Sequence, residues 1–431
     1  MKRILTSLLL FASLTPLLFA QSPLTLEDAV DTALKNNFDI RISRNASGIA
    51  EANNTAGNAG MLPTVSFNGS VAAALNSEHQ ELSNGSITNT SPSTLAGNAG
   101  VELSWTLYDG GKMFVTRQKL REASQLGEFQ FRETVQQTLY EVIAAYYDLI
   151  RLKQQLRSVQ QTIRYNQERV IIAQAGFNAG SLAKPDLLQT KIDLNEVLET
   201  AISQEFAIRE GNRALNALLA RDTETPVVVS DSIPSGFLPD KDALFSKLNS
   251  SNASVLAFQK QLEINRLALK ETKSNYLPRF DFSAGYYLSQ STNSTGSVRL
   301  NRNLGPQIVG NLSIPIYQAG ESKRLQKVAE LNLQSAESDL ENVRLQMNLA
   351  LQNTFNDFDN QKALLKIEEE NNLLAKEYLE ISIQRLRFGQ TNSLEVHLAQ
   401  ENFMNSNTRL INYRFNLKLA ETKLRQLVAG L

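Results

Sequence analysis

Two histidines, His79 and His397, and no cysteine are all that 431 residues offer for imidazole or thiol chemistry. No HExxH metal pair and no GxSxG nucleophile turn occurs, and Gly111-Lys112 lacks the upstream glycine of a phosphate loop. His397 lies two positions from Glu395, and residues i and i+2 of a helix do not share a face. The run Glu368-Glu369-Glu370 reads as a solvated helix face. The residue types therefore point away from an enzyme, with no cofactor and no metal expected. The acids that stand out are Glu395 and Asp186, each six residues after a glycine, Gly389 and Gly180.

Those two acids hold equivalent places because the chain is written twice, at an offset of 209 residues. Tyr108 and Gly111 fall on Tyr317 and Gly320, Asp148 on Asp357, and Gly180 on Gly389. The heptad Leu187, Leu194, Ala201, Ile208, Leu215 lands on Val396, Phe403, Leu410, Leu417, Leu424. Upstream, Met61-Leu62-Pro63 matches Tyr276-Leu277-Pro278 at an offset of 215, so the two copies differ in length within their strand-and-loop region. One structure of two tandem repeats is expected, rather than several unrelated domains.

Residues 1–20 read as a signal peptide: Lys2 and Arg3, an apolar run from Ile4 to Leu14, and Ala20 before Gln21. Without Lys2 and Arg3, 41 basic residues face 44 acidic ones, a net of −3, which gives no reason to expect nucleic acid. With no cysteine there is neither a disulfide nor an amino-terminal lipidated cysteine, so any membrane attachment is expected to fall to the fold. No later stretch reaches about 18 apolar residues, so a membrane crossing would need a closed β-barrel.

The elements follow from the periodicity. Residues 25–60 read as helical with a break at Asn36-Asn37, and Pro63 ends the helix. The period then becomes two: Val65, Phe67, Gly69, Val71, Ala73 and Leu75 face one way, and Thr64, Ser66, Asn68 and Ser70 the other. Residues 76–98 read as a polar loop before a strand carrying Val101, Leu103, Trp105 and Leu107. In the second copy, Phe280, Phe282, Ala284, Tyr286 and Leu288 alternate, residues 289–304 read as a loop, and Ile308, Leu312, Ile314 and Ile316 alternate again. An apolar face opposite a small polar face suits a barrel strand in lipid, and equally a soluble sheet with one buried side. Four strands cannot close a membrane barrel, so that reading requires several chains.

Between Gly111 and Gly180, and between Gly320 and Gly389, there is no proline and no glycine other than Gly127 and Gly176. Roughly 65 helical residues would span about 100 Å. The return helices carry the heptads and a second apolar set at Ala399, Ser406, Tyr413, Ala420 and Leu427. The predicted organisation is thus a first repeat over 21–225 (helix, β-hairpin 64–108, long helical hairpin 110–219). A second repeat covers 226–431 (helix, β-hairpin 279–317, long helical hairpin 320–429).

From Leu24 onward the chain resembles the TolC-like outer membrane efflux proteins. The resemblance rests on Leu24-Thr-Leu-Glu-Asp-Ala-Val, on Leu-Pro before each first strand, and on Tyr108-Asp-Gly-Gly-Lys. It also rests on Gly180 six residues before Asp186, and on Gly389-Gln-Thr-Asn-Ser-Leu-Glu395. It implies a mainly α fold with a small membrane β-barrel, in which three chains give four strands each to a 12-stranded barrel. The long antiparallel helical hairpins continue that barrel as an α-barrel tunnel in the periplasm. It further implies a homotrimer in outer-membrane lipid, docked on a periplasmic adaptor (membrane fusion) protein and an inner-membrane pump. Such a duct conducts substrate passively, in efflux or in type I secretion. The loops 76–98 and 289–304 would face the exterior, and the turns at Gly180 and Gly389 would form the periplasmic tip.

On this reading a trimer gathers three copies of Glu395, whose mutual repulsion favours cations. Family members often carry a second acid three residues on; here that position is Leu398, so an apolar constriction replaces a double acidic ring. Glu395 can equally be a first-turn acid at a helix dipole, and Asp186, after Pro185, a helix-start residue. Arg385 and Arg387 either pair with nearby carboxylates or stay solvated. Tyr108, Gly111, Tyr317 and Gly320 mark strand-to-helix junctions, where glycine supplies unusual backbone angles. Trp105, Tyr286, Tyr287 and Tyr317 suggest an interfacial aromatic belt or a filled sheet face. The competing class is a secreted or surface coiled-coil structural protein.

Overall fold

The computed structural model describes residues 23–81, 83–295 and 298–431; the expected signal peptide lies outside them. The chain opens with α1 (Leu26–Asn36) and α2 (Phe38–Asn53), then β1 (Thr64–Leu75), the short β2 (Glu78–Glu81) and β3 (Ile87–Thr90), and β4 (Ser93–Asp109). Two long helices follow, α3 (Lys112–Asn178) and α4 (Lys184–Leu218). The second copy has α5 (Lys241–Ser251), α6 (Ala253–Thr272), a 3₁₀ turn over Lys273–Tyr276, β5 (Arg279–Asn293), β6 (Leu300–Ser313), α7 (Glu321–Arg387) and α8 (Ser393–Leu427).

The repeat is carried to single-residue accuracy. α3 and α7 each have 67 residues and α4 and α8 each have 35, with Lys112 matching Glu321 and Lys184 matching Ser393. Ahead of the strands the offset is the larger one: Leu26 matches Lys241, Phe38 matches Ala253 and Thr64 matches Arg279. The break between the paired short helices is built the same way in both copies. Asn37 Oδ1 accepts from the backbone N–H of Asp39 (2.9 Å) and Ile40 (3.2 Å), and Asn252 Oδ1 accepts from Val255 N–H at 3.1 Å. An asparagine cap that satisfies the first amides of the new helix makes the break local.

α2 stops at Asn53, short of the expected end before Pro63. Polar side chains there compete with the helix ladder: Asn58 Nδ2 donates to Asn53 O at 2.9 Å, and Thr55 Oγ1 accepts from Asn58 N–H at 3.1 Å.

The molecule divides into two compact units. One comprises Arg41–Thr134 and Phe245–Ala350 and contains the β-structure. Its main sheet is an antiparallel meander in the order β1-β4-β5-β6, while β2 and β3 pair separately. Opposed residues share a face, so the register writes apolar rows across the sheet. Val65, Leu103, Ala284 and Ile308 form one row; Phe67, Val101, Tyr286 and Pro306 form the next. The reverse face carries Ser66, Glu102, Gly285 and Gln307. The two polar loops expected over 76–98 and 289–304 are shorter than predicted, since β4 starts at Ser93, β5 runs to Asn293 and β6 starts at Leu300. Their serines, threonines and asparagines continue the strand ladder instead of leaving it, as Ser70 opposite Asn98 and Ser289 opposite Asn303 show. In the same unit, α6 and α7 pack through Val255, Leu340 and Val343, and α2 crosses α3 where Gly127 leaves room for Ala50.

The other unit comprises residues up to Ile40 with Val135–Leu244 and Leu351–Leu431. Ala29 and Ala33 of α1 sit against Val142, Tyr146, Leu149 and Ile150 of α3, with Leu215 of α4 and Val227 and Val229 closing the cluster. A second cluster joins Leu379 and Ile383 of α7 to Val396, Ala399 and Phe403 of α8. The heptads explain this: Leu187, Ala201 and Leu215 are buried on α4, and Val396, Phe403, Leu410 and Leu424 on α8.

Candidate functional site at the helical turns

Each long helix ends in the same turn. Gly180 and Gly389 take φ values of +76° and +69°, a left-handed conformation that costs glycine little. The N–H of Ser181 reaches back to Gly176 O at 2.9 Å, and that of Gln390 to Arg385 O at 2.8 Å, the six-to-one bond of a Schellman motif. In the first turn Leu182 folds over Gly176, where an added Cβ would lie 2.7 Å from Leu182 Cδ1.

The helices that follow start differently. α8 has a side-chain cap, Asn392 Oδ1 accepting from Glu395 N–H at 3.0 Å. α4 begins after Ala183, which has no side-chain cap, and relies on Pro185 and the first-turn acid Asp186. The Asp186 side chain is exposed and joins none of the other tip residues. Glu395 is tied down: Arg385 Nη1 donates to Glu395 Oε1 at 2.6 Å, and Thr391 Oγ1 donates to Oε2. Arg385 Nη2 also holds Gln390 O at 3.2 Å, so one guanidinium staples both sides of the turn. Arg387 pairs with Glu168 on α3. Leu398, three residues beyond Glu395, is half exposed.

Behind these turns lies a buried polar cluster that the sequence reading missed. Arg169 of α3 has 3% of its side chain exposed and donates through Nη2 to Asp193 Oδ2 of α4 at 3.0 Å. Nη2 also donates to Ser393 Oγ at 3.1 Å, and Nη1 to Asn166 Oδ1 at 3.0 Å and Gln400 Oε1 at 3.2 Å. Gln189 Nε2 occupies the other carboxylate oxygen of Asp193 at 2.8 Å, and His397 Nδ1 stands 3.2 Å from Oδ2. Burial pulls the Arg169 guanidinium below its ordinary pKa range, and the Asp193 carboxylate pulls it back up. Three helices, α3, α4 and α8, thus share one internal charge pair. Its sequence signal was faint: Asp193 and Gln400 each adjoin a heptad apolar residue, Leu194 and Ala399.

At the strand-to-helix junctions Gly110, Gly111 and Gly320 have φ of +73°, +82° and +81°. Gly110 is also needed for space, because a Cβ there would lie 2.7 Å from Ser274 O. Its counterpart is Ala319, held at φ +48°. Asp109 caps α3, accepting from Met113 N–H at 2.9 and 3.1 Å. Tyr108 and Tyr317 are exposed here. Of the proposed aromatic belt, Trp105 and Tyr286 share the apolar sheet face. Tyr287 sits on the polar face, because strand side chains alternate and its row holds Asn68, Gly100 and Gly305. Among the described residues no cluster of His, Asp or Glu gathers for a metal, and no helix is long and apolar enough to cross a membrane.

A sheet with a lipid-compatible face, joined to doubled helical hairpins with a charge-stapled turn, is an architecture suited to a channel subunit. The model of the family described as Outer membrane efflux protein matches residues 29–221 and 244–430, and the chain belongs to that family. Outer membrane protein TolC of Vibrio cholerae is 22% identical over 337 residues, 78% of this chain and 77% of its own. The proteases secretion protein PrtF of Dickeya chrysanthemi is 20% identical over 419 residues, 92% of this chain and 86% of its own. In fold, the chain superposes on the Campylobacter jejuni CmeC outer membrane channel with a TM-score of 0.79 at 16% identity, over 94% of this chain and 85% of that one. It is an outer-membrane channel of the efflux and type I secretion kind, with a helical periplasmic extension, and carries out no chemistry.

Proposed function

We propose that three copies close a 12-stranded barrel and form a passive exit duct between a periplasmic adaptor with its inner-membrane pump and the exterior. The observation that carries this reading is the state of the sheet. β1 and β6 are its two edges, and its apolar face is solvent-exposed in the single chain, with Val65, Phe67, Val71, Ile308 and Leu312 each more than 60% exposed. Open edges and an apolar face are stable together only if further strands pair the edges and lipid covers the face.

In the helical unit, Gly180 and Gly389 turn the helices at the periplasmic tip, and Glu395 and Leu398 line its narrowest passage. Arg385 neutralises Glu395 within the chain, which lets three copies approach without the full repulsion of bare carboxylates. Leu398 then supplies the apolar constriction, and Asp186 is left free for contacts outside the chain. Tyr108, Gly111, Tyr317 and Gly320 connect barrel to tunnel. Energy and substrate choice belong to the pump on this reading.

The test is conductance of the purified mature chain in planar bilayers, with the mass of the assembly measured in parallel. Discrete channels from a trimer support the duct. A folded trimer without channels hands the case to the coiled-coil structural reading.

A further inference from the structure

The polar face of the sheet is nearly free of uncompensated charge. Four charged side chains lie on it: Glu102, Asp109, Arg279 and Asp281. Three of them cluster by the helices and are satisfied there. Arg279 Nε donates to Asp281 Oδ2 at 2.7 Å, Thr106 Oγ1 donates to Asp281 Oδ1 at 2.7 Å, and Asp109 caps α3. Glu102 differs. It accepts from Ser104 Oγ at 3.3 Å and from the Tyr287 hydroxyl, and it has no cation partner among the described residues.

Tyr287 holds that carboxylate through a built arrangement. Its ring lies over two glycines, Gly100 on the neighbouring β4 and Gly285 on its own strand, β5. A Cβ on Gly100 would lie 2.5 Å from Tyr287 Cδ1, and one on Gly285 would lie 2.6 Å from its hydroxyl oxygen. Only glycine at both positions lets the phenol lie along the sheet and point at Glu102. An aromatic ring laid over a glycine of the adjacent strand, as Tyr287 is over Gly100, restores the packing that the glycine forfeits. The same posture keeps the ring from projecting away from the sheet.

We propose that Glu102, braced by Tyr287, is a charge-selectivity element of the barrel lumen, favouring cations and disfavouring anions independently of the helical tip. The inference rests on the trimeric barrel proposed above. In that barrel every strand is a copy of β1, β4, β5 or β6. No neighbouring strand brings a cation to this face except Arg279, which Asp281 already holds. Three unneutralised carboxylates therefore ring the pore at one level. Their field extends over roughly 8 Å at physiological salt, and acidic rings are a general means of cation preference.

The experiment is the reversal potential of the purified mature chain in planar bilayers under a KCl gradient, for wild type, Glu102→Gln, Glu102→Lys and Tyr287→Phe, each confirmed as a trimer by mass. The expected cation-over-anion permeability ratio falls about twofold in Glu102→Gln and inverts in Glu102→Lys. Tyr287→Phe keeps the ring over the glycines, loses only the hydroxyl, and gives a partial fall. Wild-type channels whose selectivity is unchanged by both Glu102 substitutions overturn this proposal and leave the duct standing. Absence of wild-type channels overturns the duct reading, and this inference with it.

Discussion

Arg169 of α3 and Asp193 of α4 meet at 3.0 Å with 3% and 6% of their side chains exposed, inside a cluster that also engages Ser393 and Gln400 of α8. A pair so buried gains little over well-packed apolar residues, because both charges lose their water. Breaking it by removing one partner strands the other. Arg169 Nε already lacks a hydrogen-bond partner. Asp193→Ala should therefore destabilise the chain by about 3–5 kcal/mol, while the double variant Arg169→Met with Asp193→Leu should lie near wild type. Denaturant titration followed by helical circular dichroism checks both. Equal losses in the single and double variants would mean that the pair itself, and not the orphaned charge, carries the energy.

Arg385 and Glu395 close the second turn at 2.6 Å. Arg385→Ala should free three carboxylates at the tip and loosen the turn at Gln390, raising single-channel conductance and cation preference in planar bilayers. Exposed ion pairs are often worth about 0–1 kcal/mol, so global stability should barely change. Conductance identical to wild type would reduce the pair to a surface contact.

Backbone strain separates the matched turns. Gly180→Ala and Gly389→Ala, at positive φ with open space around them, should each cost roughly 1–2 kcal/mol. Ala319→Gly, which relieves a residue already held at φ +48°, should be neutral or mildly stabilising. Thermal unfolding of the three variants in detergent gives the order directly.

Tyr147, buried against Tyr146 in the α1–α3–α4 core, has its phenol pushed up from 10.0 to about 12, first by burial and then by the nearby Glu421 carboxylate. Between those pH values the unfolded chain has released a proton that the native chain keeps. The stabilisation is complete below pH 10 and is lost as pH rises through about 12. Tyr147→Phe should flatten the alkaline fall in unfolding free energy by on the order of 2 kcal/mol. An unchanged pH profile would show that this phenol does not titrate with unfolding.

Much of this architecture was readable because repetition and period are local signals. Equal spacing of Gly180 and Gly389 foretold two equal hairpins, and the alternation around Val65 and Phe280 foretold strands. The strand ends were not readable, since a strand facing a wet interior looks like a loop: serines and asparagines near Ser93 and Asn293 carry no apolar alternation, yet their backbones pair. Composition alone groups Tyr287 with Tyr286 as aromatics of a belt or a sheet face, whereas the pleat sends these neighbours to opposite sides. Arg169 and Asp193 escaped notice because their partnership needs three helices packed together, and each alone looks like an ordinary charged helix position.

Edge-to-edge pairing of chains into one barrel can be read out by interchain cysteine cross-linking. The chain has no cysteine of its own, so introduced ones report cleanly. Ser70→Cys on β1 would be combined in turn with cysteines at Asn303, Gly305, Gln307 and Val309 on β6, and oxidised in outer membranes. At least one combination should yield a covalent ladder ending at three chains, each link joining β1 of one chain to β6 of the next. Only monomers throughout the series, or ladders of another terminal size, would contradict it.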